Sequence, residues 1–100
     1  MAVYLHNVIR AVPGKRAELL EVIQTELKPM MEREGWKLLS VYYGLSGAIN
    51  HYTAWWELAD VDSYERGRAA VAAHPDFPRV RALLDSCLAD ETITLMDRRL

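Results

Sequence analysis

The strongest constraint on this chain is how often the period of its apolar pattern changes within 100 residues. Val3 to Arg10 is rich in β-branched and aromatic residues and predicts a strand, which Pro13-Gly14 ends. Leu20, Ile23, Leu27 and Met31 recur at three- and four-residue spacing, the stripe of an amphipathic helix. Gly35 suits its stop, and Pro29 should kink the helix or end it early. Trp36 to Leu45 and Ala48 to Glu57 predict two strands joined by a tight hairpin turn at Ser46-Gly47. Asp60, Asp62 and Ser63 are candidate N-caps of a second helix, and Asp62 with Glu65 loosely fits a capping box. His74-Pro75 and Phe77-Pro78 break that helical region. It resumes with Val80, Leu83, Leu84, Cys87 and Leu88 on one face, and Thr92 to Met96 is the last strand. The order strand, helix, strand, strand, helix, strand is the split βαβ of a single α+β, ferredoxin-like domain over residues 1–100. Such a domain has a four-stranded antiparallel sheet with both helices on one face.

Composition removes several function classes. Charged residues are 26% of the chain with a net charge of −2, so no basic stripe is available to neutralise phosphates, and nucleic acid is not an expected partner. No stretch approaches the roughly 20 apolar residues of a membrane span. The start, MAVYLHNVIR, lacks the basic-then-apolar layout of a signal peptide, so a cytoplasmic location is expected. Cys87 is the single cysteine, which excludes an internal disulfide and a multi-cysteine zinc site; on its apolar stripe it reads as a buried, inert thiol. With no Gly-rich phosphate loop, G-x-S-x-G elbow or H-E-x-x-H, no cofactor and no metal are expected.

Helices from one chain can cover only one face of such a sheet, yet both faces carry large apolar groups. Alternation puts Tyr43, Asn50, Tyr52, Ala54 and Trp56 on one side of the hairpin. Trp36, Leu38, Tyr42, His51, Thr53 and Trp55 fall on the other. An uncovered set of this size predicts a homodimer with its two sheets face to face and a cavity between them. By the same parity His6 and His51 share a face, on neighbouring strands. They could meet as an acid/base or metal pair, or simply be hydrogen-bonded core histidines.

The motifs of the chain resemble a known family. Pro13-Gly14-Lys15 follows the first strand, Gly47-Ala48-Ile49-Asn50 precedes a strand ending in Trp56, and Arg68 comes six residues before His74-Pro75-Asp76-Phe77. This resembles the NIPSNAP family, whose pattern has PGK after strand one, a G-x-hydrophobic-N turn, a Trp closing strand three, and R…DP-x-W in the second helical region. His74 stands where the family has Asp, Phe77 where it has Trp, and Leu5 and Asn7 where it has Glu and Arg. The resemblance implies a dimeric α/β barrel. That superfamily includes cofactor-independent monooxygenases of polyketide pathways, haem-degrading monooxygenases, lactone isomerases and cyclases. The strand ending in Trp56-Glu57 is similar to the polyketide monooxygenase strand, in which an Asn four residues before the Trp helps to activate substrate; here that position is Tyr52. Asn7 is similar to the Asn that haem-degrading members place over the haem, but the position of their iron-binding His corresponds to Arg81. Both likenesses imply that the face with Asn7, Asn50, Tyr52 and Trp56 looks into the cavity, with His6 and His51 on the helix-facing side. Were the faces exchanged, His6 and His51 would lead.

On this reading the protein is a small-molecule enzyme, of secondary metabolism, that oxygenates a flat apolar or aromatic, polyketide-like substrate without a cofactor. Asn50 and Tyr52 stabilise a developing oxyanion, or alternatively satisfy each other at the interface. Trp56 and Tyr43 pack the ring, Asn7 borders it, and Arg68 and His74 stand at the mouth. Arg68 is otherwise a solvated surface residue, and His74 a helix cap. The alternatives are a cyclase or isomerase in the same cavity, a non-catalytic dimeric binding protein and, third, a haem binder.

Overall fold

The computed structural model describes residues 1–100. Its elements are β1 (Val3–Ala11), α1 (Arg16–Val22), a π-helical turn (Ile23–Leu27), α2 (Lys28–Arg33), β2 (Lys37–Tyr43), β3 (His51–Leu58), α3 (Asp62–Ala72), α4 (Phe77–Cys87) and β4 (Leu88–Met96). The four strands form one antiparallel sheet in the order β2-β3-β1-β4, the expected ferredoxin-like arrangement.

Pro29 does not break the first helix. It lacks the N–H that an α-helical bond to Thr25 would need. The chain widens into a π turn just before it, and Pro29 sits in the first turn of α2, where a missing N–H costs little. The wider turn also rotates the apolar stripe. Leu19, Val22, Ile23, Met30 and Met31 are buried, while Leu20 and Leu27 are only partly so. Gly35, at φ +88°, lets the chain turn back, with the N–H groups of Glu34 and Trp36 both donating to the carbonyl of Met31.

The hairpin connection is longer than the sequence suggests. β2 ends at Tyr43 and β3 begins at His51, so Gly44 to Asn50 form a seven-residue loop rather than a tight turn at Ser46-Gly47. Asn50 lies in this loop at φ +61°, with its carbonyl accepting from the N–H of Ala11 at 2.7 Å. The cap of α3 is Asp60, whose Oδ1 accepts from both the N–H and the hydroxyl of Ser63 at 2.8 Å, in place of the Asp62–Glu65 box. Phe77-Pro78 opens α4 instead of interrupting it, and β4 starts four residues earlier than Thr92, immediately after Cys87.

The two faces of the sheet are the reverse of the sequence assignment. Leu5, Ile9, Tyr52, Ala54, Trp56 and Leu58 are buried beneath the helices. Asn7, between Leu5 and Ile9, shares their side by strand alternation. Tyr4, His6, Val8 and Arg10 of β1 and His51, Thr53, Trp55 and Glu57 of β3 point to the open face. A bulge between Leu38 and Ser40 breaks the alternation of β2. Leu38 therefore pairs with Trp56 on the helix side while Tyr42, opposite Thr53, lies on the open side. Trp36 is also buried under the helices, 6% exposed, and not with His51 and Trp55.

Trp36 is the post on which α3 rests. Its Nε1 donates to the carbonyl of Ser63 at 3.0 Å. Its ring stacks on Tyr64 (centroids 5.9 Å, 20°) and meets Trp56 edge-on (5.8 Å, 73°). The helix comes this close because Gly67 has no side chain: a Cβ there would stand 2.4 Å from Trp36 Nε1. No helix is long and apolar enough to cross a membrane.

Candidate functional site

The main pocket lies within the chain, between the helices and the inner face of the sheet, and not on the open face. Its volume is about 320 Å³, at the small end for ligand sites. The sheet floor is Leu5, Asn7 and Ile9 of β1, Trp56 of β3, and Glu91 and Ile93 of β4. The first helical stretch contributes Leu19, Ile23, Leu27 and Met31, and Trp36 closes that end. Tyr64, Arg68, Val71 and Ala72 come from α3, and Phe77, Arg81 and Leu84 from α4. Fifteen of the 19 lining residues are hydrophobic; the other four are Asn7, Arg68, Arg81 and Glu91, so all ligand polarity must be read by these four or by tyrosine and tryptophan edges.

Asn7 is the unusual member. It pairs across the sheet with Ala54 on one side and Ile93 on the other, so a methyl and an aliphatic side chain flank the amide. Its Oδ1 is buried without a hydrogen-bond partner. A buried polar atom left unpaired costs about 1–3 kcal/mol, which a ligand hydrogen bond would offset.

Three of the sequence-predicted site residues meet in this pocket: Asn7, Trp56 and Arg68. The other four do not line it. Asn50 is in the hairpin loop. Tyr52 is buried, 6% exposed, and donates its hydroxyl to the carbonyl of Arg16 at 3.1 Å, not to Asn50. Its burial raises the phenol pKa above the ordinary value, with Arg16 opposing and Tyr43 adding a little. Tyr43 leans on Tyr52 (5.3 Å) and accepts a hydrogen bond from the Arg16 guanidinium, which also lies 4.7 Å above its ring. These groups clamp α1 to the hairpin. His74 accepts the N–H of Asp76 on Nδ1 at 3.0 Å, which makes it a turn cap ahead of α4.

His6 and His51 do not form a pair. His6 pairs with Trp55 and His51 with Arg10, four positions apart along the strands. His6 instead stacks on Trp55 at 4.5 Å, and the His51 ring lies against Gly44, where a Cβ would stand 2.5 Å from it.

Arg81, Tyr64, Phe77 and Glu91 were missed as pocket residues. A signal existed in the sequence for Arg81: Phe77, Arg81, Leu84 and Leu88 follow 4-3-4 spacing, so Arg81 interrupts an apolar stripe. Arg68 does the same between Tyr64 and Val71.

Comparison with known proteins bears on the family and the fold. The NIPSNAP family model matches residues 6–100. Among curated proteins none matches. A NIPSNAP domain protein from Burkholderia xenovorans is similar in structure with a TM-score of 0.83 at 21% identity, over 99% of this chain and 95% of that one. A candidate antibiotic biosynthesis monooxygenase from Bordetella bronchiseptica has a TM-score of 0.79 at 20% identity, over 99% and 98% of the two chains. SnoaB, a cofactor-independent oxygenase from Streptomyces nogalater, has a TM-score of 0.70 at 19% identity, over 99% and 94%. At these identities the solved structures share the fold.

Proposed function

The chain belongs to the NIPSNAP family, and from that premise we propose that it is a small-molecule enzyme that oxygenates a flat, largely apolar substrate without a cofactor. The observation that carries the reading is the Asn7 amide, its Oδ1 buried without a partner, set in an aromatic pocket between the sheet on one side and α3 and α4 on the other. Trp36, Trp56, Tyr64 and Phe77 give the pocket the walls that suit a ring system. The free Oδ1 can accept a hydrogen bond from a ring hydroxyl, and the NH2 of the same amide can donate to a carbonyl becoming an enolate; in this apolar setting such bonds count for more than in water. The fold shared with two proteins described as oxygenases supports the reaction class.

The chemistry needs no external reductant. An anthrone-like substrate loses a proton from its CH2 to give an enolate, which reacts with O2. The carbon goes from CH2 to C=O, a four-electron oxidation; one oxygen atom enters the product and the other leaves as water. Glu91 is the only carboxylate lining the pocket and the group there able to take the first proton. The test is oxygen uptake with 1,8-dihydroxyanthrone above the spontaneous rate. Asn7→Ala should lower the enzymatic rate by about 10²-fold, the effect of removing one oxyanion donor. Stoichiometric binding of the anthrone without added oxygen uptake would overturn catalysis and leave a binding module.

A second copy of the chain is the proposed partner of the open sheet face. Tyr4, Val8 and Trp55, half-buried, and Tyr42 and Met96, exposed, lie together on that face and form an apolar patch that a second sheet would cover. Native mass spectrometry should give a dimer, and a monomer at micromolar concentration would refute it.

A further inference from the structure

We infer that the ligand of this pocket is an aromatic acid whose carboxylate is held at the mouth by Arg68 and Arg81. This deepens the reading above and rests on it. The two arginines come from different helices, α3 and α4, and each occupies an inward position of its helix stripe, Tyr64–Arg68–Val71 and Phe77–Arg81–Leu84. Each side chain is more than half exposed, 57% for Arg68 and 66% for Arg81, so its stem borders the pocket while its head stands at the mouth in reach of water and ligand alike.

Neither guanidinium is committed. Arg68 has a single contact with the exposed Glu65 at 3.5 Å and lies 5.3 Å above the Tyr64 ring. Arg81 has a single contact with the exposed Asp85 at 3.2 Å. Solvent-exposed pairs of this kind are worth little and are readily exchanged for a better acceptor. Arg79 is the contrast. It forks onto both oxygens of Glu26 at 2.8 and 3.0 Å and onto both oxygens of Asp76 at 2.6 and 3.0 Å, and it does not line the pocket. Arg16 is taken by Tyr43. Arg68 and Arg81 are thus the pocket's only cations, and both keep donors free for a bidentate bond to a carboxylate. Glu91, on the β4 wall, repels an anion from the sheet side and so directs a carboxylate to the helix side. A ligand held this way is polar at both ends, with an acid at the mouth, a hydroxyl or N–H donating to Asn7 Oδ1, and rings between.

Isothermal titration of the whole protein with 2-naphthoate, 2-naphthamide and decanoate tests this. The wild type should bind naphthoate at least tenfold more tightly than either of the others. In Arg68→Gln/Arg81→Gln naphthoate affinity should fall to that of the amide, while naphthamide affinity stays within twofold. Both positions are largely exposed at their heads, so the fold should persist, and unchanged naphthamide binding would show it. Equal binding of naphthoate and naphthamide by the wild type, or a preference that survives in the double variant, overturns the clamp but leaves the aromatic pocket standing. Decanoate binding as tightly as naphthoate overturns the aromatic part of the ligand assignment. Binding of none of the three overturns the pocket reading itself together with this inference.

Discussion

Gly67→Ala sets two effects of known size against each other. In an exposed helix interior the change stabilises by about 1 kcal/mol, because alanine loses less backbone entropy than glycine. Here the new methyl would stand 2.4 Å from Trp36 Nε1, 2.9 Å from Cε2 and 3.2 Å from Cζ2. The indole cannot slide away freely. Trp56 meets it edge-on, Tyr64 stacks on it, and moving off Gly67 lengthens the 3.0 Å bond to the Ser63 carbonyl. Overpacking costs about 1–3 kcal/mol, and leaving a buried N–H unpaired about 1–3 more. After the propensity gain the net loss is about 1–5 kcal/mol, centred near 3. For a domain of this size the central value corresponds to a fall in Tm of roughly 12–24 °C. Thermal and urea unfolding followed by circular dichroism reads it. The coupling is checked in a Trp36→Phe background, where the smaller ring and absent N–H should leave Gly67→Ala neutral or stabilising. An equal or higher Tm for Gly67→Ala in the wild-type background would refute the reasoning, since helix propensity would then outweigh a contact that is not tight.

Further outcomes follow from the same structure. Asn7→Leu removes a buried, unpaired oxygen and should raise Tm, by roughly 4–8 °C for a gain of about 1 kcal/mol, while abolishing turnover; a lower Tm would mean that the amide is paired in solution. Hydrogen bonds from Arg79 hold Glu26 and Asp76 below the ordinary carboxylate range, and those from Ser63 do the same for Asp60. Because the folded pKa values are depressed, the stability they contribute is complete above roughly pH 4–5 and is lost as pH falls through the lowered values; Arg79→Gln should flatten the acid limb of a Tm-versus-pH curve, and an unchanged limb would sink this assignment. Burial raises the Cys87 thiol pKa, so at pH 8 iodoacetamide should label Cys87 only at the rate of unfolding, and labelling as fast as a free thiol would contradict its 1% exposure. Tyr52→Phe deletes the hydrogen bond to Arg16 and should cost about 1 kcal/mol of stability with ligand binding in the pocket unchanged; loss of binding would restore Tyr52 to the site.

Local chemistry was enough to order the elements. The strand of Val3–Ala11, the stop at Gly35, the breaks around His74-Pro75 and the apolar face of α4 all follow from side-chain period and backbone permissiveness, and together they specify a ferredoxin-like sheet. The same local information carried the family resemblance and drew attention to Asn7, Trp56 and Arg68. Which face of the sheet the helices cover was not written locally. Alternation has period two and states only which residues share a side, not which side is inward. That choice belongs to whole-chain packing, in which Leu5, Leu58 and Val80 are each at most 2% exposed, and it moved His6 and His51 outward and the pocket inward. The bulge at Leu39, the π turn before Pro29 and the length of the Gly44–Asn50 loop each shifted a phase that periodicity had carried straight through. The tertiary structure alone brought Arg81 and Glu91 beside Asn7, because a pocket is made by residues distant in sequence whose only common property is the space they leave unfilled.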